Sequence, residues 1–149
     1  MAAGKFATCA SAAAAEVIFT SGATGSINTL AFSFGEKYIK EGDEILVSQL
    51  DHEANRGPWL ALREQGITVR EIGITPEATL DYDDLENKLN EDTRLVAVGF
   101  SSNAIGTVND IERIDTATPA AKLSNRRPKW GFVIGTKPGD STVAAAAGI

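Results

Sequence analysis

Short runs of β-branched and aliphatic residues alternate with stretches of helical periodicity along the first two-thirds of this chain. Such runs occupy residues 16–20, 44–48, 67–72 and 94–100, and each has the length of a single strand. Strands that alternate with helices of about ten residues imply crossover connections, which favour a mostly parallel or mixed sheet with helices on its faces. The sequence therefore predicts an α/β fold.

The stretches between these runs predict three helices. Apolar residues recur at intervals of three and four over residues 27–38, which gives the first helix one apolar face. A second helix is predicted over residues 53–65 and is ended by Gly66, with Pro58 acceptable only near its first turn. A third helix is predicted over residues 81–89, where an acidic first turn suits the positive end of the helix dipole.

Composition and charge exclude several classes of protein. The chain has 149 residues, 43% of them hydrophobic, which suits one globular domain. A net charge of -6 makes nucleic acid an unlikely partner. No apolar stretch approaches the roughly 20 residues of a membrane helix, so no membrane association is predicted. The single cysteine, Cys9, excludes an internal disulfide and a cysteine-based metal cluster. We expect a cytoplasmic protein with no metal site.

Three turns hold the most distinctive polar residues of the chain. They cover residues 21–26, 50–55 and 101–107, and each follows a predicted strand, where ligands bind in sheets of this kind. The first turn is small and glycine-containing, so it is suited either to holding a phosphate at a helix N-terminus or simply to turning the chain. It matches neither the ATP-binding nor the dinucleotide-binding glycine motif.

Residue type alone leaves the roles of the other two turns open. His52 is the sole histidine, which fits either proton transfer or a surface or capping position, because the sequence offers no obvious triad partner. Asn103 is able to donate to a ligand oxygen or to hydrogen-bond its own turn. Trp59 and Trp130 are predicted to be packing residues.

Taken together, residues 16–114 resemble the large domain of class V aminotransferases, especially the cysteine desulfurase-like group of fold-type I pyridoxal-phosphate enzymes. The order and spacing of the matching stretches make the resemblance specific. These stretches are residues 17–28 (VIFTSGATGSIN), 42–47 (GDEILV), 50–55 (LDHEAN) with the following Pro58 and Trp59, 93–98 (TRLVAV) and 102–107 (SNAIGT).

The resemblance implies a cofactor and a role for each turn. Gly22, Ala23 and Thr24 would bind the phosphate of pyridoxal 5'-phosphate (PLP), and Asn103 would contact the phenolic oxygen of its ring. His52 would stack on the ring and act as the catalytic group that assists proton transfers. The substrate of the intact enzyme would be a small molecule, an amino acid. Relatives often carry a second hydroxyl residue where this chain has Ala23, so one side-chain contact to the phosphate would be lost.

The resemblance fades beyond residue 114. Residues 1–114 contain 9 basic and 18 acidic residues, whereas residues 115–149 contain 5 basic and 2 acidic ones. The family continues with an aspartate that pairs with the pyridine nitrogen and a lysine that forms the Schiff base, and residues 115–149 show neither pattern. We therefore expect an alanine-rich segment over residues 1–15, a partial PLP-enzyme domain over residues 16–114, and an atypical basic tail that arises from frameshift, truncation or divergence.

Three functional interpretations follow. The first is a fragment of a PLP-dependent enzyme that is inactive alone and carries no covalently attached cofactor. The second is a non-catalytic module that binds PLP or another phosphate, or that recruits a partner. The third is a relic that folds poorly. An incomplete sheet has an unpaired edge, and such an edge favours association between copies of the chain. A homo-oligomer is therefore a further interpretation.

Overall fold

The structure is a computed structural model that describes residues 20–102, 105–117, 130–135 and 143–148. Within these ranges the helices and strands follow one another in the alternating order that the sequence predicts. They are α1 (Ala23–Tyr38), β1 (Glu44–Ser48), α2 (Glu53–Leu60) with a 3-10 helix (Ala61–Gln65), β2 (Thr68–Ile72), α3 (Tyr82–Lys88), β3 (Thr93–Gly99), α4 (Ile111–Ala117), β4 (Trp130–Gly135) and β5 (Val143–Gly148).

The strands form one sheet in the order β2-β1-β3-β4-β5. Strand β1 is parallel to β2 and to β3, and β3 is parallel to β4, whereas β5 runs antiparallel to β4. The predicted α/β class with a mostly parallel, mixed sheet is confirmed. The carboxyl ends of β1 to β4 therefore meet at one edge, and the turns after β1 and β3 lie side by side there.

Both faces of the central strands are covered by apolar side chains, because neighbouring residues of a strand point to opposite faces. In β1, Ile45 and Val47 face one cluster and Leu46 faces the other. The first cluster joins the sheet to α1 and α2, and it includes Ile27, Ala31, Phe34, Trp59, Leu62 and Leu95. The second joins it to α3 and α4, and it includes Ile72, Leu85, Val96, Val98 and Ile114.

The second helix differs from its prediction. It begins at Glu53 as expected, but its α-helical part ends at Leu60 and the chain continues to Gln65 as a 3-10 helix. Pro58 lies in the second turn, so the expectation that it occupies the first turn is wrong. Because proline has no N–H to donate to the carbonyl four residues earlier, one helical hydrogen bond is lost just before the helix tightens. Gly66 ends the segment with φ 79°, as predicted.

Two other predictions concern strands. The predicted strand over residues 16–20 lies almost wholly outside the described residues. The apolar run over residues 130–134 (WGFVI) also predicts a strand, and it forms β4, while β5 in the alanine-rich end was not predicted. In the part of the chain that the structure describes, no helix combines the length and apolar character needed to cross a bilayer.

Charged side chains close the amino-terminal edge of the sheet. Arg94 Nε donates to Asp43 Oδ1 at 3.1 Å, and both residues are buried, with exposures of 7% and 3%. Beside them, Glu44 Oε1 accepts hydrogen bonds from Arg70, Asn90 and Thr93. These contacts lie at the edge opposite to the three predicted turns, so they serve the fold and not the candidate site.

Candidate functional site

The N-terminus of α1 is held by hydroxyl groups but is not capped by a side chain. The hydroxyls of Thr20 and Ser26 lie 2.5 Å apart and form one hydrogen bond, and both oxygens lie within 3.1 Å of the carbonyl oxygen of Gly22, to which the other proton is donated. Gly22 has φ 152°, an angle that favours glycine. The first helical hydrogen bond runs from Ser26 N–H to Gly22 O, so the N–H groups of residues 23–25 precede the helical ladder. This first turn is suited to an anion.

His52 begins α2 as its N-cap residue. Its Nδ1 accepts a hydrogen bond from the backbone N–H of Ala54 at 3.1 Å, and the ring is otherwise exposed. Its carbonyl accepts the backbone N–H of Asn55 at 2.8 Å. The capping interpretation of this histidine is therefore correct, and it leaves the rest of the ring available to a ligand.

A hollow of about 400 Å³ lies between the starts of α1 and α2. It brings Thr24 of the first turn together with His52 of the second, as the sequence predicts from their positions after strands. Its volume is in the range of small-molecule sites, roughly 300–1,000 Å³. The remaining lining residues are Asn28, Glu53, Ala54, Gly57, Pro58 and Ala61.

The third predicted site residue, Asn103, lies outside the described residues. The turn that contains it is described on both sides, where Ser102 N–H donates to Thr107 O at 2.8 Å and Gly106 N–H donates to Ser102 O at 2.9 Å. Ser102 Oγ also donates to the carbonyl of Leu50 at 3.3 Å, which joins this turn to the His52 turn.

Asp51, the neighbour of His52 in the sequence, makes contacts that sequence reasoning did not predict. Both of its carboxylate oxygens lie 2.9 Å from the backbone nitrogen of Gly99, the last residue of β3. Asn55 Nδ2 donates to Asp51 Oδ2 at 2.8 Å, and Trp59 Nε1 donates to Asn55 Oδ1 at 3.3 Å. Asn55 and Trp59, four residues apart, lie on one face of α2, and Asp51, two residues before the helix begins, continues the same spacing, which was the available signal.

Burial of Asp51 raises its pKa from the ordinary 3.8 to about 6. The hydrogen bonds from Gly99 and Asn55 and the positive charge of Arg56 act in the opposite direction, but they do not offset the cost of removing the carboxylate from water. Arg56 itself is shared between Glu71 at 2.7 Å and Glu53 at 3.3 Å, which reduces the charge that it offers to Asp51.

This pKa predicts a pH-dependent loss of stability that Asp51→Asn removes. Between about pH 4 and pH 6 the folded chain holds a proton on Asp51 that the unfolded chain has released, so stability falls as pH rises. Two pKa units correspond to about 3 kcal/mol. The unfolding free energy of Asp51→Asn, relative to the parent, should therefore rise by about 3 kcal/mol from pH 4 to pH 7.

Urea unfolding at a series of pH values measures this difference directly. Asp92→Asn is the matched control, because Asp92 is exposed at the opposite edge of the sheet. A difference between Asp51→Asn and the parent that stays constant with pH would contradict the prediction.

Known proteins are similar to this chain in sequence. The family Aminotransferase class-V matches residues 2–123 of the chain. A cysteine desulfurase of Serratia proteamaculans (strain 568) is 38% identical over 111 residues, covering 74% of this chain and 27% of that protein. A probable cysteine desulfurase of Staphylococcus epidermidis (strain RP62A) is 42% identical over 92 residues, covering 61% and 22%. The chain spans about a quarter of the length of these relatives.

Solved structures show the same similarity. The cysteine desulfurase CsdA of Escherichia coli has a TM-score of 0.77 and 30% identity, covering 89% of this chain and 32% of that chain. A mutant of C-DES with glycine covalently linked to its PLP cofactor has a TM-score of 0.72, covering 93% and 35%. At 21% identity, that second likeness concerns the fold alone.

Proposed function

Because the chain belongs to the aminotransferase class-V family, we propose that the hollow between α1 and α2 is the PLP-binding part of a cysteine desulfurase-like site. Enzymes of this cysteine desulfurase-like group depend on PLP, and they act on an amino acid. The observation that carries the proposal is the meeting of Thr24 and His52 in one hollow, at the edge where the parallel strands end.

The residues present fit the cofactor. The uncapped first turn of α1, with Gly22 and the N–H groups of residues 23–25, is suited to the phosphate, since a helix N-terminus attracts an anion. The hydroxyl of Thr24 lies beside it in the same hollow, while Ala23 contributes only its backbone. His52 lines the other side, where it would face the ring. Asn103 remains the proposed contact for the phenolic oxygen, on the sequence resemblance alone.

Bound PLP supplies an electron sink for bonds to the α-carbon of an amino acid. The contribution of this chain is to orient that group and to control protons near it. Thr24 would donate its hydroxyl to the phosphate, and the first-turn amides would fix the phosphate without a charged side chain. His52 would pack on the ring and hold a proton next to the reacting carbon.

The isolated chain is proposed to bind PLP without turnover. The proposal rests on the family resemblance, by which we take residues 115–149 to lack the lysine that attaches the cofactor and the aspartate that pairs with the pyridine nitrogen. Reduction with borohydride in the presence of PLP, followed by mass measurement, tests this. We expect no stoichiometric adduct, and an adduct on one specific lysine would overturn this part of the proposal.

Binding itself is tested by titrating PLP against the full chain and following the absorbance of the cofactor. Thr24→Val removes one hydroxyl and should weaken binding about tenfold, the value of one hydrogen bond to a charged group. Thr29→Val is the matched control, because Thr29 is exposed on the same helix and does not line the hollow.

His52→Ala should also weaken PLP binding, and inorganic phosphate should compete with PLP for the uncapped turn. Equal affinities for the parent, Thr24→Val and His52→Ala would contradict the proposed site. Saturable binding that all three chains share would place the ligand elsewhere on the molecule.

A further inference from the structure

We propose that Asp51 is a positioning residue that fastens the His52 turn to the end of β3. Its relevance to cofactor binding rests on the proposed function, while the fastening itself is a property of the chain that is tested without a ligand. The turn after β1 and the turn after β3 belong to adjacent parallel strands, and the side chain of Asp51 crosses between them, as does the Ser102 hydroxyl that donates to Leu50 O.

Side chains form hydrogen bonds with both the backbone N–H and the carbonyl of Gly99. Its N–H lies 2.9 Å from each carboxylate oxygen of Asp51, and its carbonyl accepts Asn109 Nδ2 at 2.6 Å. Asn109 N–H in turn donates to the carbonyl of Phe100 at 2.8 Å. These two side chains thus hold the end of β3 at Gly99, four residues before Asn103 in the sequence.

The same carboxylate fixes the direction of α2. Asn55 donates to Asp51 and accepts from the buried indole of Trp59, so a row of side chains runs from the Gly99 amide into the core. His52 lies between Asp51 and Asn55 in the sequence and is the N-cap residue of the helix. A change at Asp51 should therefore move the histidine turn and the β3 end together.

In this row of hydrogen bonds, the side chain of Asp51 acts only as an acceptor. Asp51→Asn places an amide N–H₂ group where an acceptor is needed, either against the Gly99 N–H or against the Asn55 side chain. The double exchange Asp51→Asn with Asn55→Asp restores the pairing, because an amide at position 51 is able to accept from Gly99 and donate to a carboxylate at position 55. It moves the negative charge by four residues toward Trp59.

The test uses the full ¹⁵N-labelled chain and follows the backbone amides of Gly99 and Ala54 by NMR. In Asp51→Asn we expect the Gly99 amide to exchange with solvent about tenfold faster, and the Ala54 amide, which donates to His52, to shift as well. The double exchange should bring both signals back toward the parent. Asp92→Asn should leave both unchanged.

The unsubstituted chain provides a second test of the contact between Asp51 and Gly99. Its Gly99 amide should follow a titration with a midpoint near pH 6, since the carboxylate it donates to takes up a proton there. Arg56, held by Glu53 and Glu71, is the charged side chain that acts on Asp51, and Arg56→Lys should leave the Gly99 signal in place while altering that midpoint. A Gly99 amide that neither titrates nor responds to Asp51→Asn would overturn the inference.

PLP titration separates this inference from the proposed function. If the parent binds no PLP, the proposed function fails, while the two amides still decide whether Asp51 fastens the turns. If the parent binds PLP, Asp51→Asn should bind about tenfold more weakly and the double exchange should recover the affinity. Unchanged affinity in Asp51→Asn would remove Asp51 from the positioning of the site.

Discussion

Replacing Trp59 with alanine should destabilise the folded chain by about 3–5 kcal/mol. Trp59 is 0% exposed and is the largest of the fully buried side chains in the described part of the chain. Its removal leaves a cavity between α1, α2 and the sheet, and it also leaves Asn55 Oδ1 without the indole N–H. Such a loss approaches the whole stability of many small domains, about 5–15 kcal/mol.

Urea unfolding followed by far-UV circular dichroism measures this change. Tryptophan fluorescence is not used, because the variant lacks the Trp59 indole. Trp59→Phe is the informative comparison, since it keeps an aromatic ring in the cluster but loses the N–H donated to Asn55. It should cost less than the alanine variant. A loss below about 1 kcal/mol for Trp59→Ala would show that the cluster is not packed as described.

Arg94→Met is the second large prediction, with an expected cost of about 3–5 kcal/mol. Asp43 and Arg94 form an ion pair that is nearly inaccessible to water, so removing the arginine takes a positive charge away from a buried carboxylate. The double variant Asp43→Leu with Arg94→Met should be much closer to the parent than Arg94→Met alone, because it removes both charges.

A surface ion pair supplies the control for this experiment. Arg113 bridges to Asp83 and Glu86 on the exposed side of α3, and Arg113→Met should change the unfolding free energy by no more than about 1 kcal/mol. If Arg94→Met and Arg113→Met lower the unfolding free energy by the same amount, the buried ion pair contributes no more to stability than the surface pair. Additivity in the double variant would likewise contradict the coupling.

Local patterns in the sequence were enough for most of the fold. Strand β1 has the bounds that its β-branched run predicts, and α1 covers the predicted periodic stretch, because burial of one face or of both faces leaves a pattern in neighbouring residues. Thr24 and His52 line one hollow, and their positions after predicted strands were the signal that made both candidate site residues.

Contacts between distant residues were not predictable in this way. The bond between Asp51 and Gly99 joins residues 48 apart, and it depends on β1 lying next to β3 in a register that pairs Val47 with Ala97. A run of neighbouring residues reveals neither which strand lies beside β1 nor the register in which the two strands pair. The change from α-helix to 3-10 helix after Leu60 is a smaller miss of the same kind, because helical periodicity does not distinguish the two over one turn.

The cap formed by His52 determines which of its ring nitrogens carries a proton. Since Nδ1 accepts the Ala54 N–H, the neutral ring is the Nε2–H tautomer, and the nitrogen that remains free is a donor. A proton taken from a ligand would have to enter at Nδ1, with loss of the cap. While the cap is made, the neutral histidine of this turn therefore offers a ligand a hydrogen-bond donor and not a base.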